Sequence, residues 1–282
     1  MIGKKQKYSY YTHLRRQHHN NQKNKIITPI TENHIWLYGF HTVKAVLDNP
    51  QRKLHRLLIT KNACNRLGLN KPGLLPYPVE VTEPKTLDRL LGSETVHQGI
   101  MIETEPLPLG NLENFRDTCS LLTVLDQVTD PQNVGSIMRS SAAFNVSALI
   151  TTARHSPQES GVLAKAASGA LELVNYIAVR NMAETLEKLH EAGFQTVALD
   201  AKGIQPLETT FSGHKIALVF GAEGKGLRKR TRETVSMLAR LDTPGMIQSL
   251  NVSNAAAIAL YTAHSYLNSQ SLEDSKNSLL SC

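Results

Sequence analysis

From Ser120 to about Leu267 the chain alternates short apolar runs with segments of helical periodicity. That order demands a parallel sheet covered on both faces. Ser120–Leu125 and Val146–Thr151 read as strands separated by a helix from Asn133 to Phe144. Leu173–Val179, Gln195–Leu199 and Lys215–Phe220 read as further strands, Met182–Ala192 as a helix between two of them, and Val252–Leu267 as a closing alanine-rich helix. Three segments in this stretch run from an apolar strand into an unusual polar turn. They are Leu121 to Arg139, Ile216 to Leu227 and Leu241 to Ser253. In open α/β sheets ligands bind where strands reach the surface in this way. Three such turns point to one composite site.

The 282 residues suffice for one to two domains with a sizeable core. From Ile35 to Glu105 the pattern is shorter and mixed, with strand-like Leu54–Ile59, Val79–Val81 and His97–Glu103 around a helix-like Thr42–Leu47. It predicts a small α/β domain over 35–105. Two prolines and a glycine in Glu105–Gly110 then break periodicity, and 106–119 reads as a linker.

Residues 1–34 hold seven Lys or Arg against one acid, Glu32, and so carry most of the net charge of +7. The segment is rich in Asn, Gln and His, with little to bury, and reads as a disordered basic tail. It suits an RNA-seeking arm in which Tyr8, Tyr10 and Tyr11 stack on bases, or a solvated leader without a specific role. Scarce acids would also fit a mitochondrial transit peptide, but serine is scarce too. Residues 268–282 read as a second disordered tail. No apolar run reaches a membrane span and no secretory signal is visible. Cys64, Cys119 and Cys282 lie far apart without a CxxC pair, so neither a disulfide framework nor a zinc site is expected, and the reading is cytoplasmic.

The turns carry the chemistry. Asp130-Pro131 is a strong helix start. In the helix that follows, Gly135, Arg139 and Ala143 share one face, so Arg139 rises from small residues that would let a polyanion approach. A surface arginine on a solvated helix is the plainer alternative, and the neighbouring Asn133 favours function. Gly221-Ala-Glu-Gly-Lys-Gly226 exposes backbone groups suited to a flat heterocycle or a phosphate. It is neither a P-loop nor GxGxxG, and a plain strand-to-helix turn would leave Glu223 unexplained. Ser249 or Asn251 could simply cap the last helix. HExxH and GxSxG are both absent, so metal and hydrolase chemistry lack support.

Asn133-Val-Gly-Ser-Ile-Met-Arg139, Phe220-Gly-Ala-Glu-Gly-Lys-Gly-Leu227 and Ser249-Leu-Asn-Val-Ser253, in this order, resemble the three motifs of the SpoU (TrmH-like) RNA ribose 2′-O-methyltransferases. The likeness is nearest to the bacterial branch that methylates a guanosine of 23S rRNA and spans most of 35–267. Trp36-Leu-Tyr-Gly39 with Val96-His-Gln-Gly99 resembles that branch's small substrate-binding domain. The resemblance implies a trefoil-knotted parallel-sheet domain over 120–267, a homodimer, S-adenosylmethionine as donor, no metal and an RNA partner (rRNA, or alternatively tRNA). By matching position, Gly221, Leu241 and Leu250, with Phe220 and Gly226, would hold the donor. Arg139 would hold a phosphate and stabilise the forming alkoxide, because a guanidinium is almost never deprotonated. Asn133, Glu223, Ser249 and Asn251 would position Arg139, the ribose and the donor loops.

Met246-Ile-Gln248 before Ser249 departs from the family pattern, which expects smaller residues there. Three other readings compete: a relative acting on tRNA or conferring antibiotic resistance through 23S rRNA, a ribosome-assembly protein without catalysis, and a Rossmann-type nucleotide enzyme. Intact Asn133, Arg139 and Glu223 oppose the second, and the missing glycine fingerprint opposes the third.

Overall fold

The computed structural model describes residues 34–69, 75–114, 119–246 and 249–280, with side chains as far as 272. The basic tail other than His34 therefore lies outside the described residues, as do Ile247 and Gln248.

The first unit is a four-stranded sheet in the order β1-β4-β2-β3, built from β1 (Ile35–Tyr38), β2 (Leu54–Ile59), β3 (Val79–Val81) and β4 (Ile100–Thr104). Helix α1 (Phe40–Asp48) follows β1, α2 (Lys61–Leu67) follows β2 and α3 (Pro84–Leu91) follows β3. The alternating segment expected over His97–Glu103 enters the sheet only at Ile100. The residues before it turn, with Gln98 at φ 57° and Gly99 at φ 80°.

The second unit contains β5 (Leu121–Asp126), α4 (Pro131–Ala143), β6 (Ala148–Thr152), α5 (Gly161–Ala167), β7 (Asn175–Val179), α6 (Met182–Glu191) and β8 (Gln195–Leu199). It continues through β9 (Gln205–Pro206), β10 (Ile216–Gly221), α7 (Lys229–Thr234), β11 (Met237–Arg240) and α8 (Val252–Leu280). Its seven strands run in the order β7-β6-β5-β10-β8-β11-β9, and every paired neighbour is parallel. The parallel sheet is the one the sequence pattern predicts, but strands β9 and β11 and helices α5 and α7 were not among the expected elements.

Why the strands lie buried is legible in them. All six residues of β5 are buried. Leu121 and Leu125 join Leu218 and Phe220 in one apolar cluster, whereas Leu122 and Val124 join Ala217 and Val219 in the cluster on the opposite face. Near-continuous apolar runs are what a sheet covered on both faces requires. Helix α4 begins as expected, with Asp130 accepting the Gln132 amide at 3.0 Å and Pro131 in its first turn. It meets α5 closely at Gly135, where an added Cβ would lie 2.4 Å from the Leu163 carbonyl oxygen. The small residue there serves helix packing. Several expected elements differ in extent, β6 starting at Ala148 rather than Val146. Residues 173–174 stay outside β7, because a 3₁₀ turn at Ala170–Glu172 leads into it. Helix α8 continues past Leu267 to Leu280, so the segment expected as a disordered tail from 268 is helical as far as 280.

A buried ion cluster joins the two units. Arg52 reaches Glu159 at 2.6 Å and Glu172 at 2.6 Å, with side-chain exposures of 0%, 8% and 4%. Arg52 Nη1 also donates to the Glu105 carbonyl at 2.9 Å, and Thr42 Oγ1 donates to the Ala164 carbonyl at 3.1 Å.

Candidate active site

Strand order reverses between β5 and β10. From β5 the sheet continues outward through β6 and β7, and from β10 it continues the other way through β8 and β11. The crevice at the carboxyl ends of two such strands is where open α/β sheets place ligands. Asp126 and Gly221 sit opposite each other at that edge.

The three polar turns meet there. Asn133, in the first turn of α4, donates from Nδ2 to Glu223 Oε1 at 3.1 Å. Asn251 Nδ2 lies 2.7 Å from the same oxygen and 3.0 Å from Asn133 Oδ1. The Val252 amide, opening α8, adds a contact to Glu223 Oε1 at 3.4 Å. One carboxylate oxygen thus gathers donors from positions 90 residues before it and 28 after it. Asn251 is also the cap considered for it, since its Oδ1 accepts the Ser253 amide at 2.8 Å. Asn251 therefore caps the helix and contacts Glu223 with the same side chain.

The loop bearing Glu223 is preshaped. Ala222 and Gly226 pair across it, and Gly226 lies against Gly221 so closely that a Cβ at 221 would be 2.4 Å from the Gly226 carbonyl carbon. A side chain at Gly221 would therefore open the loop. Gly224 and Gly226 adopt φ of 76° and 67° and have no neighbour within 4 Å of a would-be Cβ, so this side of the loop faces open space. Leu250 is exposed, and Leu241, which follows β11, is half-buried. The Phe220 side chain is fully buried in the core, leaving its backbone as the part available at the crevice. Ser249 is exposed and makes no side-chain hydrogen bond to a described residue, and Met246 projects fully into solvent.

Arg139 does not join the Glu223 group. It lies six positions beyond Asn133, about 9 Å along the helix axis, and projects from α4 into a groove lined by Ala45, Ala142, Ala167, Gly169 and Leu173. It is exposed and forms no ion pair with a described residue. Small residues do surround it, but they come from α1 and the end of α5 as well as from its own helix.

Sequence reasoning missed one pair at this edge. Asp126 is fully buried and binds Arg228, which closes the Gly221–Gly226 loop. The signal was available: an acid ending an otherwise apolar buried strand needs a partner. Among the described residues, His34, His55 and Glu105 are close enough to share a metal ion. Glu105 is bonded by Lys53 at 3.1 Å, His34 by Glu103 at 3.1 Å, and the two imidazoles stack at 3.8 Å.

A family model described as the SpoU rRNA Methylase family matches residues 120–261, and one described as RNA 2'-O ribose methyltransferase substrate binding matches 36–109. The chain belongs to the SpoU rRNA methylase family. A relative from Pseudomonas putida, the 23S rRNA (guanosine-2'-O-)-methyltransferase RlmB, is 32% identical over 242 residues, covering 80% of this chain and 94% of that one. The protein of the same name from Pasteurella multocida is 36% identical, covering 80% and 95%. Among solved structures, the SpoU methyltransferase AviRb from Streptomyces viridochromogenes in complex with AdoMet superposes with a TM-score of 0.69 at 20% identity, covering 83% of this chain and 90% of that one. An AdoMet-bound rRNA methyltransferase from Sinorhizobium meliloti gives 0.69 at 21%, covering 83% and 88%. These two likenesses establish that the SpoU fold extends over both units of the chain.

Proposed function

We propose that this SpoU protein methylates the 2′-hydroxyl of a guanosine ribose in 23S rRNA, using S-adenosylmethionine. One observation carries the reading. The three turns that converge on Glu223 Oε1 belong to a chain that spans nearly the whole length of relatives named for this reaction.

The residues fit the donor. The open face of the Gly221–Gly226 loop offers backbone amides and carbonyls, and Leu241 and Leu250 offer apolar surface for an adenine. When bound, S-adenosylmethionine supplies an electrophilic methyl group on a sulfonium. Glu223, Asn133 and Asn251 hold the loop that seats it, so the approach of the ribose is aligned before reaction. Arg139 binds an RNA phosphate and stabilises negative charge developing on the ribose oxygen. The hydroxyl proton leaves to water, because the guanidinium cannot accept it.

In this reading the C-terminal part of the domain threads through a loop to give a trefoil knot, and two copies pair through α8. Its exposed Ile258 and Tyr261 stand beside a buried alanine face, which supports that pairing. Among the described residues no helix is long and apolar enough to cross a membrane, and the proposed setting is the cytosol with its ribosomes. The small domain, 35–105, presents the RNA, and 106–119 links it to the domain that carries the reaction.

The test maps ribose 2′-O-methylation across rRNA and tRNA in cells with and without this gene. Loss of one 23S rRNA guanosine mark is the expected outcome. Loss confined to tRNA, or no loss, overturns the assignment.

A further inference from the structure

A cavity of about 450 Å³ lies between the linker 106–110, the ends of β6 and β7, and the first turn after α1. Its size falls within the ~300–1,000 Å³ of small-ligand sites. We propose that this cavity receives a nucleobase of the RNA next to the methylated nucleotide. The proposal rests on the RNA-methylating reading and deepens it.

Three observations carry it. The first is the lining. Gln51 and Gln158 present exposed carboxamides that make no side-chain hydrogen bond with described residues. A carboxamide offers one donor edge and one acceptor edge, which is the pairing a base edge requires. Leu109 and Leu173 are 60% and 75% exposed on the cavity wall and supply apolar surface for the face of a ring. The acids in the wall, Glu159 and Glu172, are directed onto Arg52 and away from the open space.

The second is continuity. Asn49, Glu172 and Leu173 line both this cavity and the groove that holds Arg139. An RNA strand whose phosphate sits on Arg139 therefore passes directly along the cavity mouth. Third, the charge around the mouth suits that path. Arg154 follows the lining residue Ala153, and Arg180 follows β7, whose Val179 carbonyl accepts the Ala153 amide at 2.9 Å. Arg139, Arg154 and Arg180 are all exposed and form no ion pair with a described residue. Exposed arginines adjoining the cavity and groove suit the phosphates of a strand, while the uncharged carboxamides of the cavity lining suit a base.

The experiment uses the full chain and an unmodified 23S rRNA transcript carrying 4-thiouridine or 6-thioguanosine. Irradiation should cross-link the thio-base to peptides from 106–110 or 171–178. The double variant Gln51→Ala/Gln158→Ala, and separately Leu173→Glu, should raise KM for the transcript by roughly tenfold or more, with donor affinity and melting temperature unchanged. Cross-links confined to other peptides, or a KM within twofold of wild type in both variants, overturn the proposal. If the wild type transfers no methyl group to the transcript but cross-links at the cavity, the assigned reaction fails while the base site stands. Normal methyl transfer without cavity cross-links removes the base site and leaves the reaction standing.

Discussion

Asp126 holds Arg228 at three points: the Arg228 amide at 3.0 Å, its Nε at 2.7 Å and its Nη2 at 2.7 Å. Asp126 is wholly buried at the end of β5, while Arg228 is 41% exposed just after the Gly221–Gly226 loop. The pair ties the far end of that loop to the sheet, as the Ala222–Gly226 bridge ties its neck. Asp126→Asn keeps the shape but discards the charge, and should cost about 1.5–3 kcal/mol of stability. Donor affinity measured by calorimetry should fall at least tenfold. Unaltered affinity would show that the clamp plays no part in seating the donor.

Arg139→Ala should leave the fold and donor binding near normal, because Arg139 makes no ion pair with a described residue that folding would lose. Methyl transfer to 23S rRNA should fall by about 10²-fold or more. Wild-type turnover in a single-turnover assay would remove Arg139 from the reaction.

Glu223→Ala removes the common acceptor of Asn133, Asn251 and the Val252 amide. Asn251→Ala removes one donor and the cap of α8 together, and the cap alone is worth about 1 kcal/mol. Because the groups share one oxygen, a double-mutant cycle over Asn133 and Glu223 should give a coupling of about 0.5–3 kcal/mol. Strict additivity would mean that the observed hydrogen bonds contribute nothing.

Arg52 serves two buried carboxylates at once. Arg52→Met should therefore destabilise by about 3–5 kcal/mol, since it leaves both carboxylates buried without a partner. Burial pushes the Glu159 carboxyl above its ordinary 4.5, against the opposing pull of Arg52. An acid raised in the folded state favours folding most below its ordinary value and loses that advantage as pH climbs through the raised one. The stability of the wild type relative to Glu159→Gln should accordingly decline as pH rises above 4.5. Denaturant midpoints across that range provide the check, and a gap that widens with pH would refute it.

Deleting residues 1–33, with seven bases and one acid among them, should weaken RNA binding and flatten its dependence on salt. Equal affinity at low salt for both forms would reduce the segment to a passive leader.

The chain alone indicated the parallel character of the sheet and the three polar turns, though not strands β9 and β11, because buried strands and helix caps are written in local residue order. Ser120–Leu125 reads as a buried strand from its own side chains and forms as Leu121–Asp126, and Asp130-Pro131 announces α4 without help from elsewhere. Tertiary structure decided which polar groups meet. Asn133 and Glu223 are 90 residues apart and Arg52 and Glu172 are 120 apart, and nothing periodic links such positions. Folding also turned Arg139 into a groove lined by both units, although it shares a motif with Asn133. The physical reason is the same throughout: patterning records which face of an element is buried, whereas contacts between elements depend on crossover and packing.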